Sequence, residues 1–135
     1  LPNGNVFIGW GSAPVFSEFT EDGELIFNGR FPAAGTSYRA YRHEWIGQPA
    51  EPPAIALERG EDDAVTVFAS WNGATEVASW RVRSGSSADD LSEIGSAARA
   101  GFETAIDGLV ADSYIVVEAL DAGGAVLGAS DPVED

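Results

Sequence analysis

The sequence predicts an all-β fold in two parts, and three observations predict it. Apolar and polar residues alternate in short runs along most of the chain. Turn signals rich in Gly, Asn and Asp fall between those runs. The composition changes near residue 53: six of the seven prolines and nine of the 14 aromatics lie within residues 1–53.

The first part, residues 1–46, reads as antiparallel hairpin strands. Asn5 to Trp10 alternates, with Val6, Ile8 and Trp10 on one face. Gly11-Ser12-Ala13-Pro14 ends that run. Phe16 to Thr20 and Glu24 to Phe31 flank Glu21-Asp22-Gly23, an Asp-Gly hairpin signal. Ser37 to Trp45 alternates again and predicts a further strand, with Arg39, Tyr41, His43 and Trp45 on one face. Strands this few and this short do not bury so many aromatics alone, so a neighbour is expected. Residues 47–53, Gly-Gln-Pro-Ala-Glu-Pro-Pro, read as an extended linker.

The second part, residues 54–135, has the rhythm of a β-sandwich. Strands are expected at 54–59, 64–71, 76–83, 91–98, 101–107, 113–120 and 125–130. Turns fall at 59–63, at Trp71-Asn72-Gly73 and at Asp121 to Gly124. Turn signals roughly every 8–12 residues suit an immunoglobulin-like sandwich. Val65, Val67, Ala69 and Trp71 share a face, as do Ala78, Trp80 and Val82, and Ile115, Val117 and Ala119, so Trp71 and Trp80 are core candidates. The stretch 86–100 reads two ways. Leu91, Ile94 and Ala98 keep helical spacing behind Ser87 or Asp89 as a cap, while the sandwich needs a strand there.

Charge and composition bound the function. The chain has 22 acidic and 7 basic residues, net −15. Residues 54–135 carry 16 acids and 4 arginines, net −12. Such a balance disfavours nucleic acid and anionic membranes. No apolar run approaches the roughly 20 residues of a membrane span. The absence of cysteine excludes disulfides and thiol chemistry. The absence of methionine leads to the expectation that Leu1 follows a processing or excision point.

Candidate binding residues are few. Arg39 and Arg42, with Tyr38 and Tyr41, have the chemistry of an anion pocket. On a strand, residues three apart face opposite ways, so the two arginines line one pocket only at a bulge. Trp10 and Trp45 are candidate exposed platforms for stacking on sugars. His43 is the sole histidine, with no second ligand for a metal and no triad order around it. The acidic groups Glu58/Glu61/Asp62/Asp63 and Asp89/Asp90 lack the alternating ligands of a calcium loop. No catalytic residue, metal site or cofactor is assigned.

Two stretches resemble a known family. Asn5 to Ser12, Phe16-Ser17-Glu18-Phe19, Asp22-Gly23 and Ser37 to Arg42 are similar to the C-terminal end of arylsulfotransferase-like propeller proteins of secreted bacterial origin. Ser70 to Thr75, Ala78 to Val82 and Ala119-Leu120-Asp121 carry the same resemblance. It implies a propeller-blade-like sheet followed by a fibronectin type III-like module, outside the cell or in its envelope. The family's chemistry passes a sulfuryl group through a histidine of earlier blades, and the surroundings of His43 do not match that motif. The expected role is a non-catalytic, structural or accessory one. The expected partners are an upstream part of the same parent protein, or a second copy through open strand edges. Two rivals stand beside it: an aryl sulfotransferase part that contributes Arg39 or Arg42 to a sulfate pocket, and an adhesive or carbohydrate-binding module.

Overall fold

A computed structural model describes residues 1–32, 36–60 and 64–134. The described chain is all-β, with three antiparallel sheets and no helix. None of the sheets closes into a barrel. No helix is long and apolar enough to cross a membrane. The chain forms two compact units, Leu1–Glu44 and Trp45–Asp135.

The first unit holds β1 (Val6–Gly9), β2 (Val15–Phe19) and β3 (Leu25–Arg30) in the order β1-β2-β3. The turn at Asp22-Gly23 places Gly23 at φ +85°, a backbone state that L side chains resist. It joins β2 to β3 as the Asp-Gly signal predicts. Ile26 is an extra residue of β3, because Phe19 pairs with Leu25 and Glu18 with Phe27. One face of this sheet carries Phe7, Phe16 and Phe27, with ring centroids 5.9 Å apart in each successive pair. Phe31 adds to the cluster at 5.3 Å from Phe16. The Phe16 ring lies over Gly29, where any Cβ would collide with it.

The strand predicted at Ser37 to Trp45 does not form. Alternation makes a segment competent for a ladder, but a ladder also needs a free edge alongside. Here the chain crosses the sheet instead of running along its edge. Ser37 N–H donates to Gly11 C=O at 3.0 Å. A Cβ on Gly9 would stand 2.8 Å from Ala40 Cβ, so the segment passes directly over Gly9.

The second unit begins with the Pro-rich stretch, and this stretch is bonded to the strands after it. Gly47 N–H donates to Thr75 Oγ1 at 2.9 Å, and Thr75 N–H returns to Gly47 C=O at 3.1 Å. Trp71 Nε1–H donates to Glu51 C=O at 2.7 Å. Residues 47–53, read from sequence as a linker, therefore sit within the second unit. Proline supplies the extended backbone, and the tryptophan supplies a donor that must be satisfied on burial.

Seven strands form in the expected order, with β6 and β8 running further along the chain than the expected 76–83 and 101–107: β4 (Ala54–Arg59), β5 (Val65–Ser70), β6 (Ser79–Ser87), β7 (Asp90–Ala98), β8 (Glu103–Leu109), β9 (Tyr114–Leu120) and β10 (Val126–Ala129). A short β11 (Val133–Glu134) follows. Residues 90–98 are strand, so of the two readings of 86–100 the strand holds and the helical spacing of Leu91, Ile94 and Ala98 does not make a helix. The sheets run β4-β5-β8 and β10-β9-β6-β7, with β11 also on β9. Their inward residues form one core of Val65, Val67, Ala69, Trp71, Trp80, Val82, Ile106, Ile115, Val117 and Ala119. Trp80 Nε1–H donates to Thr104 Oγ1 at 3.1 Å, from β6 in one sheet to β8 in the other. At the end of the chain, Tyr114 O–H donates to Glu134 at 3.0 Å. That hydrogen bond and the Glu134 charge raise the Tyr114 phenol above its ordinary value of 10.0.

Candidate functional site

The first unit contains an unusual buried group. Glu18 lies on β2, the middle strand, between Phe7 of β1 and Phe27 of β3. Alternation from Phe16 puts its carboxylate on the aromatic face, and it is 1% exposed. A carboxylate there is costly unless its oxygens are bonded and its charge is balanced. Both conditions are met. Asn5 Nδ2–H donates to Oε1 at 2.7 Å, and Arg42 Nη1 bonds Oε2 as an ion pair. The guanidinium side chain keeps 54% exposure, so the pair has one dry and one wet end.

Arg42 reaches Glu18 because residues 37–44 cross the face as described above. The crossing leaves a hollow of about 500 Å³ between the sheet and the segment. Phe7, Phe16, Ile26 and Phe27 form its apolar wall; Glu18, Tyr41 and Arg42 complete it. A second hollow of about 340 Å³ lies beyond Tyr41 and Arg42, toward Leu1, Asn5 and Val6. The opposite face of the sheet carries a polar chain. Trp10 Nε1–H donates to Ser17 Oγ at 2.9 Å, and Ser17 Oγ–H donates to Asn28 Oδ1 at 2.8 Å.

The four residues singled out from sequence do not converge on one site. Arg42 lines the larger hollow. Arg39 is exposed, lies over the Tyr38 ring at 5.2 Å and donates to Tyr41 Oη at 3.1 Å. Trp10 is 46% exposed and tied to Ser17. Trp45 is 79% exposed and belongs to the second unit. Strict alternation does not govern Arg39 and Arg42, because their segment is not a strand. His43 stacks on Tyr41, centroids 6.0 Å apart.

Glu18 was not among the sequence candidates. An acid in an alternating run normally reads as a solvent-facing residue. The signal lay in phase: Glu18 is two residues from Phe16, so it falls on the apolar face.

Both carboxylate oxygens of Glu18 are occupied by donors, Asn5 on Oε1 and Arg42 on Oε2. Among the described residues, no three His, Asp or Glu side chains gather to hold a metal ion. Residues 61–63 of the acidic loop lie outside the described residues. No family model, curated protein or solved structure matches this chain.

Proposed function

We propose that the chain is a non-catalytic structural piece of a larger secreted protein, with a propeller-blade-like sheet leading into a fibronectin type III-like sandwich. One observation carries this reading. In the described part of Leu1–Glu44 no apolar side chain is buried; the two buried residues there are Ser17 and Glu18. Meanwhile Val6, Leu25, Ile26 and Phe27 are each at least half exposed. A sheet with many aromatics and no core of its own is a fragment of a larger packing. The strand orders of the second unit, β4-β5-β8 and β10-β9-β6-β7 with the short β11 also on β9, support the fibronectin-like reading. The role that follows is to close or dock a β structure and carry a folded spacer behind it.

Residues 1–44 alone are expected to show no cooperative unfolding transition, whereas residues 45–135 alone unfold cooperatively. Circular dichroism melts of both pieces check this, and a sharp melt of the short piece overturns the reading.

A second reading has one observation in its favour: Arg42 is pinned by a buried carboxylate and lines an aromatic hollow of about 500 Å³. A pocket built this way suits an aryl anion, as in an aryl sulfotransferase. Transfer by the route of that family also needs a histidine beside the anion, and the residues that line the described pocket include none. The purified chain is expected to release no phenol from a chromogenic aryl sulfate with a phenol acceptor present. Turnover that disappears in Arg42→Ala would move the balance to the enzyme reading.

A further inference from the structure

We propose that residues 38–44 are an unpaired strand that adds to the open edge of β7 in a second copy of the chain. Residues 37–45 are expected from sequence to be a strand, yet no backbone N–H of residues 38–44 donates to any group of the described chain. Tyr38 is 90% and Tyr41 66% exposed, while Ala40 lies against Gly9 and Arg42 is held by Glu18. Tyrosine and arginine are the residue types that dominate buried interface centres. A segment with free backbone N–H groups and protruding aromatics is what strand addition consumes.

The edge it fits is named by charge. β7 ends its sheet, so its outer side pairs with nothing among the described residues. Its first half reads Asp90-Leu91-Ser92-Glu93 and is preceded by Asp89 in the turn. In an antiparallel alignment with Arg39 opposite Glu93, Ala40 faces Ser92, Tyr41 faces Leu91 and Arg42 faces Asp90. One step further, His43 lies beside Asp89. Arg39 meets an acid, Arg42 keeps its own ion pair with Glu18, no like charges meet, and the aromatic meets the leucine. Cross-strand pairs of these kinds favour one register over its neighbours. β7 carries an extra residue at Ile94, because Val82 pairs with Gly95 and Arg83 with Glu93; a second irregularity of the β6–β7 ladder lies opposite Leu91, where the extra residue is on β6, because Ser84 pairs with Ser92 and Ser87 with Asp90. Arg39 has no carboxylate partner in the described chain, and neither Asp90 nor Glu93 has a cation.

The occupant is a second copy because this chain itself supplies the acidic edge: its second part carries the −12 charge, and Asp89, Asp90 and Glu93 lie on or beside one open strand. Each copy has one segment to donate and one edge to accept. The pairing stands on this register, not on the propeller-like reading, so its failure leaves that reading in place.

Sedimentation equilibrium of the full chain, from micromolar to millimolar concentration, tests it. The mass is expected to rise above 14.1 kDa with concentration, and to rise less in high salt. Arg39→Glu and Glu93→Arg are each expected to weaken association at least about tenfold, since each sets like charges opposite one another. The double variant Arg39→Glu/Glu93→Arg is expected to restore it. Both positions are exposed, so a circular dichroism melt confirms that the variants fold. Amide exchange at residues 38–44 should slow as association proceeds. A monomer throughout overturns the proposal. So does association that ignores the single reversals, or that the double variant fails to restore.

Discussion

Replacing Trp80 with alanine is expected to cost the second unit about 3–5 kcal/mol, the usual loss for a buried large aromatic. Trp80 is 1% exposed, at the centre of β6. Its ladder neighbours are Ala119 on β9 and Ala97 on β7, small residues that leave room for the indole. No larger neighbour within the sheet stands ready to collapse into the vacated space, so a cavity persists. The hydrogen bond to Thr104 is lost as well, but Thr104 Oγ1 still accepts from Ala100 N–H at 2.9 Å. The cost is therefore chiefly one of packing. Domains of this size are stable by about 5–15 kcal/mol, so the change removes a large share. The melting midpoint should fall by roughly 15–30 °C. Trp45→Ala, at a 79% exposed position, should leave it nearly unchanged. Differential scanning calorimetry on residues 45–135 checks both, and a Trp80→Ala midpoint near that of the parent chain would mean the core is wrongly placed.

The contrast between the units shows what sequence carries and what it does not. Val65, Val67 and Ala69, or Ile115, Val117 and Ala119, announce their strands because one face is buried against a facing sheet. Burial on one side is what writes a period of two into a sequence. In the first unit the same period appears at Ser37 to Trp45, and no strand forms, because pairing depends on an edge that alternation does not report. The ladder is a property of two segments, and the pattern describes one. Glu18 was missed for a related reason. Its burial follows from the faces of β1 and β3 beside it and from Arg42, 24 residues later, folding back across the sheet. The Pro-rich stretch reads locally as a spacer, and Trp71 takes its hydrogen bond from it only through the tertiary fold.

Arg42→Ala is expected to free residues 37–44 from the sheet and to destabilise the first unit while leaving the melt of the second unchanged. The argument turns on what remains after the substitution. Glu18, 1% exposed in the parent chain, keeps Asn5 as its donor on Oε1 and has no cation beside it. Removing one partner of a fully buried pair costs about 3–5 kcal/mol. Here the guanidinium is 54% exposed, so water reaches one end and the loss should be nearer about 1–3 kcal/mol. The sheet has no apolar core to absorb even that, so the effect on local order should be large. Changing both partners, Glu18→Leu with Arg42→Leu, removes the charge to be solvated and adds apolar contact with Phe7 and Phe27. That double variant should keep the sheet at least as protected as the parent. Amide exchange across β1, β2 and β3 in the full chain distinguishes the cases. Protection unchanged in Arg42→Ala would show that the ion pair does not hold the segment. Protection lost equally in the double variant would show that the charge itself, and not its compensation, organises the sheet.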